Sequence, residues 1–352
     1  MPTAPRTEIT VVGSVAGPSG EPLPGIVLSF ASSEPRIEDF GSAITGSDGA
    51  YSVRLISGTY RVQIDPPIEY GFMARTELVT VSDRHNRVDF AFLGHRVTGS
   101  VVDPNGNLLD NGGVSAQLKP PGQGYAASWL KQGSYSLLLP AGTYLFHAGA
   151  ADYWSGFSPE RRESVQIAAD TTIDFHLGGI LVSGKVLGPD GPPMEGVAVE
   201  ARGENGYVQN RTAIDGGYRL YVPSGPYRLW FRPPHPFYII PRIVGPLTIT
   251  APISIDGDLS GIEWSGTVRR LGTNEPAPGI SIAARMVDDD DQRAAAIRTG
   301  LQGEFRFVLE ADRRYDLTTY DPESGEQAVR LHGVAATADT TLEILIPLPT
   351  TP

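Results

Sequence analysis

Four stretches of the chain begin alike: Val11-Val12-Gly13-Ser14-Val15, Val97-Thr98-Gly99-Ser100-Val101, Val182-Ser183-Gly184-Lys185-Val186 and Trp264-Ser265-Gly266-Thr267-Val268. They recur about every 85 residues, a period on the scale of whole folded units rather than of single helices or strands. In each, apolar residues alternate around a central glycine, which is the period-2 pattern of a half-buried strand. Three of the openings run through a Gly/Pro turn into a second glycine and a second alternating strand: Gly25-Ile26-Val27-Leu28, Gly196-Val197-Ala198-Val199 and Gly279-Ile280-Ser281-Ile282. The remaining one, Gly112-Gly113-Val114-Ser115-Ala116, is one residue longer.

A second shared block follows in every unit. It reads Thr45-Gly46-Ser47-Asp48-Gly49-Ala50-Tyr51, Trp129-Leu130-Lys131-Gln132-Gly133-Ser134-Tyr135, Thr212-Ala213-Ile214-Asp215-Gly216-Gly217-Tyr218 and Thr299-Gly300-Leu301-Gln302-Gly303-Glu304-Phe305. Asp-Gly or Gln-Gly ahead of an aromatic strand is hairpin chemistry, because glycine takes the positive φ of a tight turn without a Cβ penalty. Another tyrosine then closes Gly58-Thr59-Tyr60, Gly142-Thr143-Tyr144 and Gly225-Pro226-Tyr227, while the fourth unit has Asp312-Arg313-Arg314-Tyr315 and no glycine. Gly58, Gly142 and Gly225 are expected to hold positive φ as well. The joints Phe92-Leu93-Gly94-His95-Arg96-Val97 and Ile255-Asp256-Gly257-Asp258-Leu259-Ser260-Gly261-Ile262 leave no room for a flexible linker. The expectation is an all-β rod of four tandem sandwiches over 1–94, 95–179, 180–260 and 261–352, the last with a Pro/Thr tail.

This order of motifs, G-x-V, G-x-P-x-x-G-[VI], T-x-x-[DQ]-G-x-[YF], G-x-Y and a closing alternating strand, resembles the carboxypeptidase regulatory-like domain of the transthyretin-like family. The resemblance covers nearly the whole chain in four copies. It implies a seven-stranded Greek-key β-sandwich, Ig-like or transthyretin-like, in each copy. Domains of this family serve as appendages, spacers and adhesion modules on bacterial surfaces, enzymes and phage particles.

Composition agrees with that reading. Gly 41 and Pro 30 in 352 residues favour many turns between short strands and leave little room for long helices. A net charge of -12 repels a polyphosphate backbone, which argues against a nucleic-acid partner. With no cysteine there are no disulfides, thiolate nucleophiles or zinc-thiolate sites. The first residues show neither the charged nor the apolar segment of a secretion signal, and no stretch reaches the roughly 18 apolar residues of a membrane span. Neither membrane insertion nor a visible signal peptide is therefore expected.

Candidate sites are few. His85, His95, His147, His176, His235 and His332 include no pair at metal-ligand spacing. No G-x-S-x-G elbow with a credible triad, H-E-x-x-H or P-loop pattern occurs, so no catalytic residue, cofactor site or metal site is assigned. Asp48 and Asp215 read as turn formers, with Gln132 and Gln302 in their place elsewhere. Asp288-Asp289-Asp290-Asp291 reads as a solvated run at a hairpin tip, with a divalent cation as the competing reading. Lys185 falls between inward-facing neighbours and should point to water, without an isopeptide partner.

Aromatic residues cluster ahead of the last strands in three units. Tyr70 and Phe72 stand in the first. Tyr153, Trp154, Phe157, Phe237 and Tyr238 form the candidate contact surface, because exposed aromatic platforms stack on sugars and anchor protein interfaces. Packing over the sandwich edge is the weightier reading of the same residues. The functional expectation is a non-enzymatic structural or adhesion rod of an extracellular assembly, favoured as a virion component such as a phage tail, fibre or decoration protein. The alternative is a carbohydrate-binding or bacterial cell-surface stalk module. The expected partners are other structural proteins of the assembly, with a cell-surface glycan in the alternative.

Overall fold

A computed structural model of the chain describes residues 8–34, 39–122, 124–235, 238–287 and 289–348. The first repeat contains β1 (Glu8–Ala16), β2 (Val27–Ser32), β3 (Phe40–Ile44), β4 (Ala50–Ile56), β5 (Gly58–Asp65), β6 (Arg75–Val81) and β7 (Phe90–Ala91). They form two sheets, β4-β1-β7 and β3-β2-β5-β6, with β1 antiparallel to β4 and parallel to β7. The same two-sheet plan recurs three times, with His95–Val102, Ile180–Leu187 and Ile262–Arg270 in the place of β1. The chain is therefore all-β, as its alternation predicts. By contact it divides into two compact units, Met1–Asp152 with Pro159–Gly178, and Tyr153–Ser158 with Gly179–Pro352.

The opening glycine is explained by the closing segment that crosses it. A Cβ on Gly13, Gly99, Gly184 or Gly266 would collide with the carbonyl oxygen of Val88, Ile173, Ile255 or Leu342 respectively. In the first three repeats the same carbonyl accepts the hydroxyl of the recurring tyrosine: Tyr51 to Val88 at 2.7 Å, Tyr135 to Ile173 at 2.8 Å and Tyr218 to Ile255 at 2.6 Å. The next residue is an aspartate whose carboxylate takes a main-chain amide of the first strand, Ser14 to Asp89, Ser100 to Asp174 and Lys185 to Asp256, each at 2.8 Å. The fourth repeat needs neither device. There Thr340–Ile346 pairs with Ile262–Arg270 in an unbroken parallel register from Trp264↔Thr340 to Arg270↔Ile346, and Phe305 replaces the tyrosine.

The turn glycines Gly49, Gly133, Gly216 and Gly303 have φ of 72, 73, 73 and 75°, as their Asp-Gly and Gln-Gly contexts require. The expectation for the second glycine set holds at Gly225, with φ 153°, and is corrected at the other two positions, since Gly58 and Gly142 open the strands Gly58–Asp65 and Gly142–Ala150 without a positive φ. The tyrosines that follow are buried and tied back to upstream carbonyls, Tyr60 to Ile56 and Tyr144 to Pro140, both at 2.8 Å.

Candidate functional site

The aromatic loops carry the strongest recurring geometry. In the first unit the Gly71 carbonyl accepts the Leu138 amide at 2.9 Å, and Phe72 bridges Leu138 in parallel. Leu138 belongs to the second repeat, yet it is buried in the core of the first. The Phe72 ring lies 5.4 Å from Tyr70 and 5.1 Å from Phe92. Gly71, at φ 66°, would drive a Cβ into the Ser136 carbonyl, so only glycine fits this approach.

The second unit contains the arrangement twice. The Gly156 carbonyl accepts the Tyr221 amide at 2.8 Å, the Ser158 amide donates to the Tyr221 carbonyl at 3.1 Å, and Phe157 meets Tyr221 edge-on at 5.9 Å. Tyr238 and Ile240 clasp Val308 likewise, with the Val308 amide on the Tyr238 carbonyl at 2.8 Å and the Ile240 amide on the Val308 carbonyl at 3.0 Å. Val308 is buried in the core of the third repeat and Ile240 in that of the fourth. At Tyr221 and Val308 two main-chain bonds flank one residue, and Leu138 and Val308 are buried where they are received, so within each unit the aromatic segment is held fast against the strand it meets.

Of the candidate contact residues, the structure gathers Tyr153, Trp154 and Phe157 on one segment. Phe237 lies outside the described residues. Tyr238 is half-buried elsewhere, with the Arg306 guanidinium 5.8 Å from its ring. Phe157 is also half-buried, whereas Tyr153 is 68% exposed. Trp154 is half-buried, its ring 4.2 Å from the Arg211 guanidinium and its carbonyl accepting from Asn210 Nδ2 at 2.9 Å. Trp154 also lines a cavity of about 520 Å³ with Glu200, Arg211, Arg232 and His235. The buried Glu200 is held there by Arg202 at 2.9 Å and Arg232 at 3.1 Å, and both guanidinium groups stand 4.6 Å from the Trp230 ring.

The aspartate run does lie in the turn between the paired strands Ser281–Met286 and Ala294–Arg298, and Asp290 is exposed there, but Asp289 and Asp291 are not solvated. Asp288 lies outside the described residues. The Asp289 side chain is 8% exposed and accepts the Arg293 amide at 2.7 Å and its Nε at 3.1 Å. Burial pushes the Asp289 carboxyl up, but hydrogen bonds from the Arg293 amide and guanidinium, with that cation's charge, outweigh it and hold the group below its ordinary range. Asp291 receives both terminal nitrogens of Arg228 at 3.0 and 2.6 Å. Arginines thus supply the charge that a cation would have brought, and among the described residues no group of three or more His, Cys, Asp or Glu could hold a metal ion. Asp48 and Asp215 do cap turns, accepting the amides of Ala50 and Gly217 at 3.0 Å. Lys185 is exposed, as its position predicts.

The composition of the loops drew the sequence reading away from a second aromatic pair. Tyr125 and Trp129 are 58% and 54% exposed on the strand Tyr125–Trp129, while Ala126 between them is buried. The signal was present in Tyr125-Ala126-Ala127-Ser128-Trp129, where both rings fall on one face of a period-2 pattern.

The sequence matches no family model and no curated protein. Among solved structures, the chain is similar to the Bacillus anthracis TIE protein at 10% identity, covering 98% of this chain and 76% of that one, with a TM-score of 0.21. It is similar to a streptococcal ancillary pilin at 13% identity, covering 71% and 99%, with a TM-score of 0.21. A third similarity, to the major pilin subunit BcpA of Bacillus cereus, has 12% identity, coverage of 72% and 100%, and a TM-score of 0.18. The resemblance to the carboxypeptidase regulatory-like domain therefore rests on the motifs alone.

Proposed function

We propose that the chain is a non-enzymatic structural and adhesive element of an extracellular assembly, composed of four sandwich domains at 1–94, 95–179, 180–260 and 261–352. A virion component, such as a tail, fibre or decoration protein, is the favoured form, and other structural proteins of the same assembly are the partners. The observation that carries this reading is the repeated clasp at Leu138, Tyr221 and Val308. Main-chain hydrogen bonds that fasten a loop of one repeat to a strand of the next, inside each compact unit, suit a spacer or stalk and serve no chemical step. The test is localisation. Gold-labelled antibodies against the chain should decorate purified particles or appendages of the producing cell, and a signal confined to the cell interior would overturn the proposal.

A further inference from the structure

We propose that the outer face of the sheet containing Tyr125–Trp129 is a binding site for a neutral polysaccharide, seated across the rings of Tyr125 and Trp129. The strand is the edge of a four-stranded sheet and pairs only with Gly112–Leu118, which pairs in turn with Gly142–Ala150. Register sets three rows across these strands. Trp129, Gly113 and Gly149 form the first, Ala127, Ser115 and His147 the second, and Tyr125, Gln117 and Leu145 the third. Two large rings thus stand at the ends of an edge strand beside a floor of small residues. The recess they border has a volume of about 350 Å³.

Glycine shapes that floor. A Cβ on Gly113 would stand 3.4 Å from Trp129 Cε3, so the bare backbone lets the indole lie close over the sheet. Among the described residues neither ring has a stacking or hydrogen-bonding partner, which leaves more than half of each residue in water without structural compensation. Exposure of two aromatic rings on one face costs solubility and calls for a ligand that covers them.

Charge and spacing select the ligand. Among the described residues no Asp, Glu, Lys or Arg lines the recess, and partial desolvation of His147 by its neighbours, helped by Arg161, lowers its pKa, so the lining carries no charge at neutral pH. In a chain of net charge -12 an uncharged recess favours a neutral ligand. Four residues of strand separate the two rings by about 13 Å, a span bridged by a short run of linked sugar rings but not by one. Sugar rings present C–H faces that stack on aromatic faces, while their hydroxyl edges reach Ser115 and His147. A protein hot spot, by contrast, seats its anchors in a closely packed pocket ringed by water-excluding contacts.

Affinity electrophoresis of the full chain through gels containing neutral polysaccharides (a β-glucan, a xylan, a galactomannan, a dextran), with alginate as the acidic comparison, tests this. Retardation is expected in at least one neutral gel. Trp129→Ala should abolish it and Tyr125→Ala should weaken binding about tenfold or more, with melting of both variants unchanged because both side chains are exposed. Phe40→Ala, which removes an exposed ring from the first repeat, should bind as the parent does. No retardation in any neutral gel, retardation by alginate alone, or retardation that survives Trp129→Ala would overturn the proposal. So would a wild-type dimer that Trp129→Ala dissociates, since the edge strand would then serve a second copy of the chain.

Discussion

At the scale of single residues, glycine and aspartate decide more than their chemistry in isolation implies. Gly303 combines φ 75° with a position where a Cβ would meet the Val268 carbonyl, whereas a Cβ on Gly58 would meet the flexible end of Glu34 at 3.1 Å and the Ile56 carbonyl at an ordinary 3.9 Å. Gly303→Ala should therefore cost about 1–3 kcal/mol in chemical denaturation, and Gly58→Ala should be nearly neutral. Arg270 gives a second contrast. It is buried, forms a hydrogen-bonded ion pair with buried Asp321 and reaches Glu323 at 2.8 Å. Asp321→Ala removes the buried partner of that cation, leaving it the exposed Glu323 and the Pro347 carbonyl, and should cost about 3 kcal/mol, while Glu323→Ala, which removes an exposed partner, should cost less than about 1 kcal/mol. Burial pushes the Asp321 carboxyl up, yet the hydrogen bonds from Arg270 and the Glu323 amide leave it below the ordinary range, as Arg293 does for Asp289. A depressed carboxyl stabilises the fold above its unfolded-state pKa and loses that contribution as pH falls through the folded value. Stability of the fourth repeat should accordingly drop below about pH 4, and Asp321→Asn should flatten that limb of a pH-denaturation profile.

Among the elements, the strands were legible because their evidence is local: alternation places them, and Asp-Gly or Gln-Gly marks the hairpins at Gly49, Gly133, Gly216 and Gly303. The loops were not. The clasp at Gly71 and Phe72 works through a main-chain carbonyl that any sequence possesses, and its receiver Leu138 lies in the next repeat. The pairing of the aspartate run is hidden for a related reason, since the Arg228 that neutralises Asp291 stands 63 positions earlier, whereas its place at a hairpin tip is legible. Tyr125 and Trp129 escaped because outward-facing aromatics are conspicuous only once the covered and uncovered faces are known. The closing tyrosine of each hairpin does what its repetition implies. Burial pushes Tyr144 and Tyr315 up to about 12. A raised tyrosine pKa leaves stability intact below the unfolded value near 10 and withdraws it as pH rises through the folded value. Tyrosinate absorbance from these residues should thus appear together with loss of strand circular dichroism above about pH 10, and early ionisation in the intact fold would contradict their burial.

For the whole molecule, the consequence of the clasps is cooperation between neighbouring repeats. The receiving side chain is apolar in three repeats, as Leu138, Tyr221 and Val308, but the first repeat has exposed Arg54 at the equivalent place, three residues after Tyr51. The fourth repeat differs at the donor end. Where the others extend an aromatic segment, it has Asp321, turned inward onto Arg270. Couplings of this kind make the stability of an array a sum of unit terms and interface terms, so that a joint lesion is felt on both sides. Leu138→Ala removes a buried side chain from the core of the first repeat while sitting on a strand of the second, and should cost about 2–5 kcal/mol. Hydrogen exchange of the full chain should then quicken in β1, β2 and β5 and also in His95–Val102 and Gly112–Leu118, leaving Ile262–Arg270 and Arg314–Tyr320 as protected as before. Val308→Ala should produce the converse, faster exchange in Ile180–Leu187 and Ile262–Arg270 with β1 unchanged. Arg54→Ala, at the equivalent position without an observed clasp, should move stability by no more than about 0.5 kcal/mol. Exchange that quickened only in the mutated repeat would mean that the main-chain clasps align their neighbours without sharing stability between them.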